Sequence, residues 1–102
     1  MTDWSQGDPL KIDGFKQPFL VLSKNAFIRN TGTFHVCPFL KNYPEGPLHI
    51  PAEGLHKTAG TAICEQLKLI DPSARNCRRI DRLPHAQMIN ISDAVQGIFE
   101  YD

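Results

Sequence analysis

The amino-acid sequence predicts a single α+β domain over residues 1–102. Short antiparallel strands form a strongly twisted sheet or small β-barrel, and a helix packs against it. Hydrophobic residues make up 41% of the chain, which is enough for one core. Short apolar runs separated by Gly, Pro, Asn and Asp predict the strands. Met88, Ile91, Val95 and Ile98 follow at spacings of three and four, which predicts a C-terminal helix with one face on the core.

The first half of the chain contains three predicted strands and one short helix. Pro9 to Ile12 is the first strand, and Asp13-Gly14 is a strong turn signal after it. The apolar run FLVLS is typical of a central strand. Ser23 is expected to cap a short helix in SKNAFIRN. The segment TFHVCPFL predicts a third strand, and Pro38 places this part of it at a sheet edge or a bulge because proline has no N–H.

The second half is predicted to contain further short strands, a loop and the start of a helix. LHIPAE is a short strand, and GLHKTAG is a loop with glycine at both ends. Thr61, Ala62, Ile63 and Cys64 favour a strand that continues to Leu69. Asp71-Pro72 indicates a helix N-cap followed by proline at the first helical position, before a basic segment.

Composition narrows the class of protein. The chain has 11 basic and 11 acidic side chains, so nucleic-acid binding would require a local basic patch. No apolar run approaches the roughly 20 residues of a membrane span, and the acidic start MTDWSQGDPL does not resemble a signal peptide. Three cysteines without CxxC spacing indicate reduced, buried thiols in a cytoplasmic protein. A zinc site that joins them to His35 or His85 is an alternative without the usual ligand spacing.

Five segments carry a resemblance by their order and spacing: QPFLVLSKNAFIRNTG, HVCPFL, NYP, GTAICEQLKLIDPSARN, and RLP before the last helix. Together they resemble the MazF/PemK family, the toxins of type II toxin–antitoxin systems, from Gly7-Asp8 onward. The best-matched positions are Glu65, Gln66, Leu67, Lys68, Ile70 and Asp71.

The resemblance implies an SH3-like antiparallel β-barrel with short helices, and a homodimer. It implies a metal-independent endoribonuclease without a cofactor that cleaves RNA and inhibits translation. It also implies a cognate antitoxin whose flexible C-terminal segment covers the RNA groove. Two alternatives stay open: a catalytically degenerate homologue that only binds RNA or antitoxin, and a gyrase poison of the CcdB type, which has the same fold.

The sequence departs from the family at two catalytic positions. Metal-free RNA cleavage uses the 2′-hydroxyl as nucleophile and needs a base, an acid and positively charged donors. The family places an arginine before a proline and a threonine after C-P-[IV], whereas this chain has Gln17 before Pro18 and Leu40 after Pro38. Glutamine carries no permanent charge and leucine donates no hydrogen bond.

Three explanations for these departures remain open. Lys16 or Lys41, each next to an altered position, replaces the lost groups; or Glu65 acts as the base in a variant site; or catalysis is lost and binding retained. We expect Lys16, Gln17, Lys41 and Glu65 to be catalytic, with Glu65 as proton acceptor and a lysine on the phosphate. An alternative is that Glu65 only pairs with Lys68 or Arg75 at the surface.

RNA is expected to bind through a basic and aromatic set. This set comprises Gln66, Lys57, Arg75, Arg78, Arg79 and Tyr43. Phe15 is a further stacking surface. The opposing interpretation is that Asp71 and Asp81 neutralise part of the arginine segment. His49 and His56 are expected at the surface, and His35 in the core with a bond to the backbone.

Overall fold

The computed structural model describes residues 4–100, which form seven strands and two helices. In chain order they are β1 (Pro9–Ile12), β2 (Phe19–Val21), α1 (Asn25–Thr31), β3 (Phe34–Leu40), β4 (His49–Glu53), β5 (Ala59–Ile63), β6 (Lys68–Ile70), β7 (Cys77–Arg79) and α2 (His85–Ile98). The predicted fold class, an antiparallel α+β fold with a C-terminal helix, is confirmed. Neither of these two helices is long and apolar enough to cross a membrane.

All strand pairs in the described part of the chain are antiparallel. The pairing path runs β4-β5-β3-β2-β1-β7, and β6 pairs with β3 off this path. β3 therefore has three partners and is not an edge strand as a whole, whereas the part at Pro38, predicted as an edge or a bulge, is paired with β2 alone. β6 pairs with β3 up to Val36, and β5 pairs with it from Phe39 onward. Pro38 lies between the two pairings, where its missing N–H removes no bond to either strand.

Two hydrophobic clusters lie on opposite faces of β2 and β3, because side chains alternate along a strand. On one face, the cluster joins α2 and consists of Leu20, Leu22, Cys37, Phe39, Ala62, Cys64, Leu83, Met88 and Ile91. On the other face, it joins β1 and α1 and consists of Leu10, Ile12, Phe19, Val21, Ile28, Phe34, Val36 and Ile70. The predicted inward positions Met88 and Ile91 are buried, whereas Ile98 is exposed.

Two local predictions fail because side chains offer the backbone other partners. Asp71 begins no helix; its Oδ1 accepts hydrogen bonds from the Ser73 N–H at 3.0 Å and hydroxyl at 2.7 Å, which forms a tight Asx turn. Ser23 does not cap α1, since its hydroxyl accepts the His35 N–H at 2.7 Å and contacts His35 Nδ1 at 3.0 Å. The helix instead begins after Lys24 without a side-chain cap.

The single strand predicted from Thr61 to Leu69 is two strands, β5 and β6. A turn separates them, closed by the Gln66 N–H bond to the Ile63 carbonyl at 3.1 Å. The segments that form β5 and β6 both favour strand, so the sequence did not indicate the turn between them. This turn brings Glu65 to the surface at the end of β5, where it can meet a side chain from another strand.

Asp81 is buried and organises the loop between β4 and β5. Its carboxylate accepts the backbone N–H groups of His56 and Thr58, both at 2.9 Å, and that of Arg82 at 2.7 Å. Burial raises the pKa of Asp81, but these N–H donors outweigh burial and hold the pKa well below its usual range. Gly54 belongs to this arrangement, because a Cβ at that position would collide with the Asp81 carboxylate.

Candidate nucleic-acid interface

The two positions that depart from the family lie side by side. Phe19 pairs with Pro38, and the Phe39 N–H bonds to the Pro18 carbonyl at 3.0 Å. Continuing this register by one residue places Gln17 opposite Leu40. Leu40 also pairs with Thr61 on its other side. We call the side of the sheet that carries these residues the candidate face, since paired residues share a face.

A hydrogen-bonded histidine and glutamate lie on the candidate face. His49 pairs with Ile63, two residues after Thr61, and therefore shares its face. His49 Nε2 lies 2.9 Å from Glu65 Oε2. The hydrogen bond from His49 lowers the pKa of Glu65, so the carboxylate is the acceptor and the ring N–H the donor.

The histidine has two further neighbours. The Tyr43 ring packs edge-on against the imidazole, with centroids 5.1 Å apart and planes at 90°. Gly46 exchanges two backbone hydrogen bonds of 3.1 Å with His49 and so holds the backbone that carries the ring. The imidazole is thus positioned by its neighbours, and the hydrogen bond to Glu65 leaves Nδ1 as the proton-accepting nitrogen.

A second cluster on the candidate face combines positive charge with an aromatic ring. Lys68 is exposed and pairs with Val36, about 13 Å along β3 from Leu40. Val36 itself is buried in the cluster that joins β1 and α1, so Lys68 lies at the rim of that cluster. Lys68 Nζ lies 5.8 Å from the centre of the Phe15 ring, and Arg75 Cζ lies 5.2 Å from it. Phe15 in turn packs edge-on against Phe19 at 5.1 Å. This arrangement suits a base stacked near a phosphate.

The predicted lysines lie in different surroundings. Lys16 is exposed, and its carbonyl accepts a hydrogen bond from Lys11 Nζ at 3.0 Å. Lys41 lines an open cavity of about 500 Å³ beside Thr61 and Glu53. Lys57 pairs with Glu53 at 3.6 Å. Gln66 is exposed in the turn next to Glu65.

The four arginines of the basic segment point in different directions and have different partners. Arg75 contacts Phe15, whereas Arg78 and Arg79 are consecutive in β7 and point to opposite faces. Arg79 Nε pairs with the buried Asp8 at 2.8 Å, and Arg82 Nε lies 3.5 Å from the same carboxylate. Within residues 4–100, the carboxylates of Asp71 and Asp81 form hydrogen bonds with N–H and hydroxyl groups and no ion pair with these arginines.

Sequence reasoning missed two residues of this face. Lys68 was within the best-matched segment and could have been singled out by its charge. His49 carried no such signal, because its contact with Glu65 joins β4 to the turn after β5. Within residues 4–100, no group of three or more His, Cys, Asp or Glu side chains could hold a metal ion, so the cysteine–histidine zinc site is not formed.

Comparison with solved structures shows the same fold. A MazE–MazF complex from Deinococcus radiodurans has a chain with a TM-score of 0.82 and 16% identity, covering 100% of both chains. An endoribonuclease from a mycobacterial species gives 0.78 and 18%, covering 95% of this chain and 91% of that one. A mycobacterial endoribonuclease in complex with its cognate antitoxin gives 0.77 and 17%, covering 96% and 98%.

The comparison with curated proteins found no match. The family model of the PemK-like, MazF-like toxins matches residues 3–99, which is almost the whole chain and includes both clusters of the candidate face. The resemblance read from the short segments is therefore confirmed. The chain belongs to the PemK-like, MazF-like toxins of type II toxin–antitoxin systems.

Proposed function

We propose that this toxin is an endoribonuclease that cleaves RNA in the cytoplasm, inhibits translation and is restrained by a cognate antitoxin. The family membership supports this, as do the structures of similar fold that are named as an endoribonuclease and as an endoribonuclease with its antitoxin. Formation of a homodimer remains a prediction from the family.

The hydrogen bond between His49 and Glu65 is the observation that carries the proposal. Gln17 and Leu40 cannot transfer a proton, so the two altered positions leave the reaction without its usual groups. A histidine oriented by a carboxylate supplies a proton acceptor on the same face of the sheet. Of the three explanations for the departures, this geometry favours the variant site, with His49 as base and Glu65 as the group that orients it.

The proposed step is an internal transfer at phosphorus. His49 Nδ1 takes the proton of the 2′-hydroxyl while the 2′-oxygen forms a bond to the adjacent phosphorus. The bond from phosphorus to the 5′-oxygen breaks, and that oxygen takes a proton from water. The products are a 2′,3′-cyclic phosphate and a free 5′-hydroxyl. No other reactant is consumed, and the proton on His49 returns to solvent.

Charge on the phosphate oxygens needs positive partners. Lys68 and Arg75 flank Phe15, whose ring offers a stacking surface, and bind a phosphate next to the one that is cleaved. For the cleaved phosphate itself, Lys16 and Lys41 are the predicted partners. Lys16, Gln17, Lys41, Gln66 and the remaining predicted RNA contacts stay predictions. Lys16 and Lys41 belong in the same variant series as His49, since each stands next to an altered family position.

The test is cleavage of labelled RNA by the purified toxin in EDTA. We expect cleavage with a cyclic phosphate end, and a rate about 10²–10⁴-fold lower for His49→Ala. His56→Ala is the matched control, because that exposed histidine uses only its backbone N–H to bind Asp81. The cleavage rate of Glu65→Gln should lie between those of His49→Ala and His56→Ala.

Two results would count against the proposal. Normal cleavage by His49→Ala would show that another residue is the base, and Lys16 and Lys41 would be tested next. RNA binding without cleavage by the wild-type protein would instead identify the degenerate homologue, for which Gln17 and Leu40 would then be the explanation.

A further inference from the structure

A large cleft lies outside the His49–Glu65 cluster, between the N-terminal segment, α1 and the loop that joins β6 to β7. Its volume is about 1080 Å³, just above the roughly 300–1,000 Å³ typical of ligand pockets. It is lined by Trp4, Ser5, Asn25, Ile28, Arg29, Gly32, Pro72, Ser73, Arg75, Asn76 and Cys77. We call it the arginine cleft.

The aromatic wall of the arginine cleft is Trp4, the one tryptophan of the chain. Its ring packs against Phe34 with centroids 5.9 Å apart, and it contacts the cluster between β1 and α1. A half-buried indole anchored on one side and facing a cleft is a stacking surface for a nucleobase, which binds through its π-face whatever its sequence.

Two guanidinium groups supply the charge of the cleft. Arg29 and Arg75 are both exposed, and arginine binds phosphate oxygens in bidentate geometry. The Asn76 side-chain amide donates to Asp13 at 3.2 Å, which fixes its orientation in the wall. Two acids lie beside lining residues: Asp71, whose Oδ1 accepts the N–H and hydroxyl of Ser73, and Asp13, which accepts the Asn76 amide. The negative charge of Asp71 repels phosphate, so we expect the RNA backbone to follow the Arg29 side of the cleft.

Arg75 connects the arginine cleft to the candidate face. The same guanidinium that lines the cleft lies 5.2 Å from the centre of the Phe15 ring, where Lys68 also lies. A strand of RNA that contacts Phe15 and Lys68 would therefore contact Arg75 next and then enter the arginine cleft.

We propose that the arginine cleft binds a nucleotide of single-stranded RNA that flanks the cleavage point, with its base on Trp4 and its phosphates on Arg29 and Arg75. This inference rests on the proposed ribonuclease function and adds a second subsite to it. The subsite recognises the flank by stacking and charge, so it tightens binding without a strict base preference.

Trp4 fluorescence gives a direct readout. The probe is a dye-labelled oligonucleotide of mixed sequence, about ten nucleotides long, with 2′-fluoro sugars so that it lacks the nucleophile. We expect saturable quenching of Trp4 that parallels the dye anisotropy. Arg29→Gln should weaken binding about tenfold. Lys24→Gln removes the same charge but lines the cavity beside α2, so its affinity should equal that of the wild type.

The outcomes separate the subsite from the ribonuclease function. Anisotropy binding without a change in Trp4 fluorescence, or equal affinity for Arg29→Gln and wild type, would overturn the subsite even if RNA is cleaved in EDTA. Quenching that depends on Arg29, in a protein that cleaves no RNA, would support the subsite and reject the ribonuclease. A lack of any binding by anisotropy would overturn the subsite, and cleavage of RNA in EDTA would decide the ribonuclease function separately.

Discussion

At the scale of single residues, Asp81 links stability to pH. Its pKa is lowered in the folded protein, so its contribution to stability is present above the unfolded-state value of about 3.9 and is lost as the pH falls through the folded-state value. Asp81→Asn keeps the size but removes the charge that the three N–H groups bind. We expect this variant to be less stable at neutral pH and to lose less stability on acidification than the wild type.

Urea unfolding at a series of pH values between neutral and about 3 checks this prediction. Asp93→Asn is the control, since that carboxylate is exposed on α2. Parallel stability curves for Asp81→Asn and the wild type would show that the carboxylate charge is not what holds the loop.

The candidate site shows what a sequence can reveal at this scale. Glu65 was predicted as a proton-handling residue because it lies in the segment that best matches the family. The alternative prediction was that Glu65 is solvated or pairs with Lys68 or Arg75, whereas in the structure it bonds to His49. A contact between residues 16 positions apart depends on the register of β4 and β5, and no local pattern in the chain encodes that register.

At the scale of elements, α2 is stabilised by its buried face. Ile91 is fully buried against β2 and β3, whereas Ile89 on the same helix is 49% exposed. Ile91→Ala should lower the free energy of unfolding by about 2–5 kcal/mol, since it removes apolar contacts and leaves a cavity. Ile89→Ala, measured by the same denaturant titration, should change it by less than about 0.5 kcal/mol. Equal losses would mean that α2 does not dock in this orientation.

Two glycines on the helices should respond in opposite directions to alanine. Gly32 ends α1 with φ of 71°, and its N–H bonds to the Ile28 carbonyl at 2.8 Å. Within residues 4–100, an added Cβ at Gly32 or Gly97 meets nothing within 4 Å beyond its own chain neighbours, so the two sites differ in backbone conformation. Gly32→Ala should cost about 1–2 kcal/mol, and Gly97→Ala in α2 should gain up to about 1 kcal/mol.

Thermal unfolding of both glycine variants checks the opposite signs. A stabilised Gly32→Ala variant would contradict the left-handed cap at the end of α1.

The elements also show where prediction from sequence ends. β1 was predicted with its observed bounds, and α2 from its periodicity, because burial there follows a regular pattern. The Asp71-Pro72 helix was wrong because Ser73 gives the Asp71 carboxylate a nearer partner than a helix would. Pro38 was predicted to mark an edge or a bulge, and the order of β5 and β6 along β3, which leaves a gap at Pro38, follows only from the three-dimensional structure.

At the scale of the whole molecule, a net charge of zero makes local charge decisive. For single strands, each phosphate contact contributes about −0.7 to the slope of log affinity against log salt. Lys68→Gln should therefore flatten the salt dependence of RNA binding by about 0.7. Lys24→Gln changes the net charge equally but lies away from Phe15, so its slope should match the wild type.

Fluorescence anisotropy at several salt concentrations measures both slopes. If the two lysine variants changed the slope equally, overall charge rather than the Phe15 cluster would govern binding.

The pairing of β1 with β7 has a consequence for biosynthesis. Leu10 lies opposite Arg79, so β1 cannot pair on this side until β7, which follows it in the chain, has been synthesised. A nascent polypeptide cannot complete the sheet, or bring Arg75 to Phe15, until β7 has left the ribosome exit tunnel.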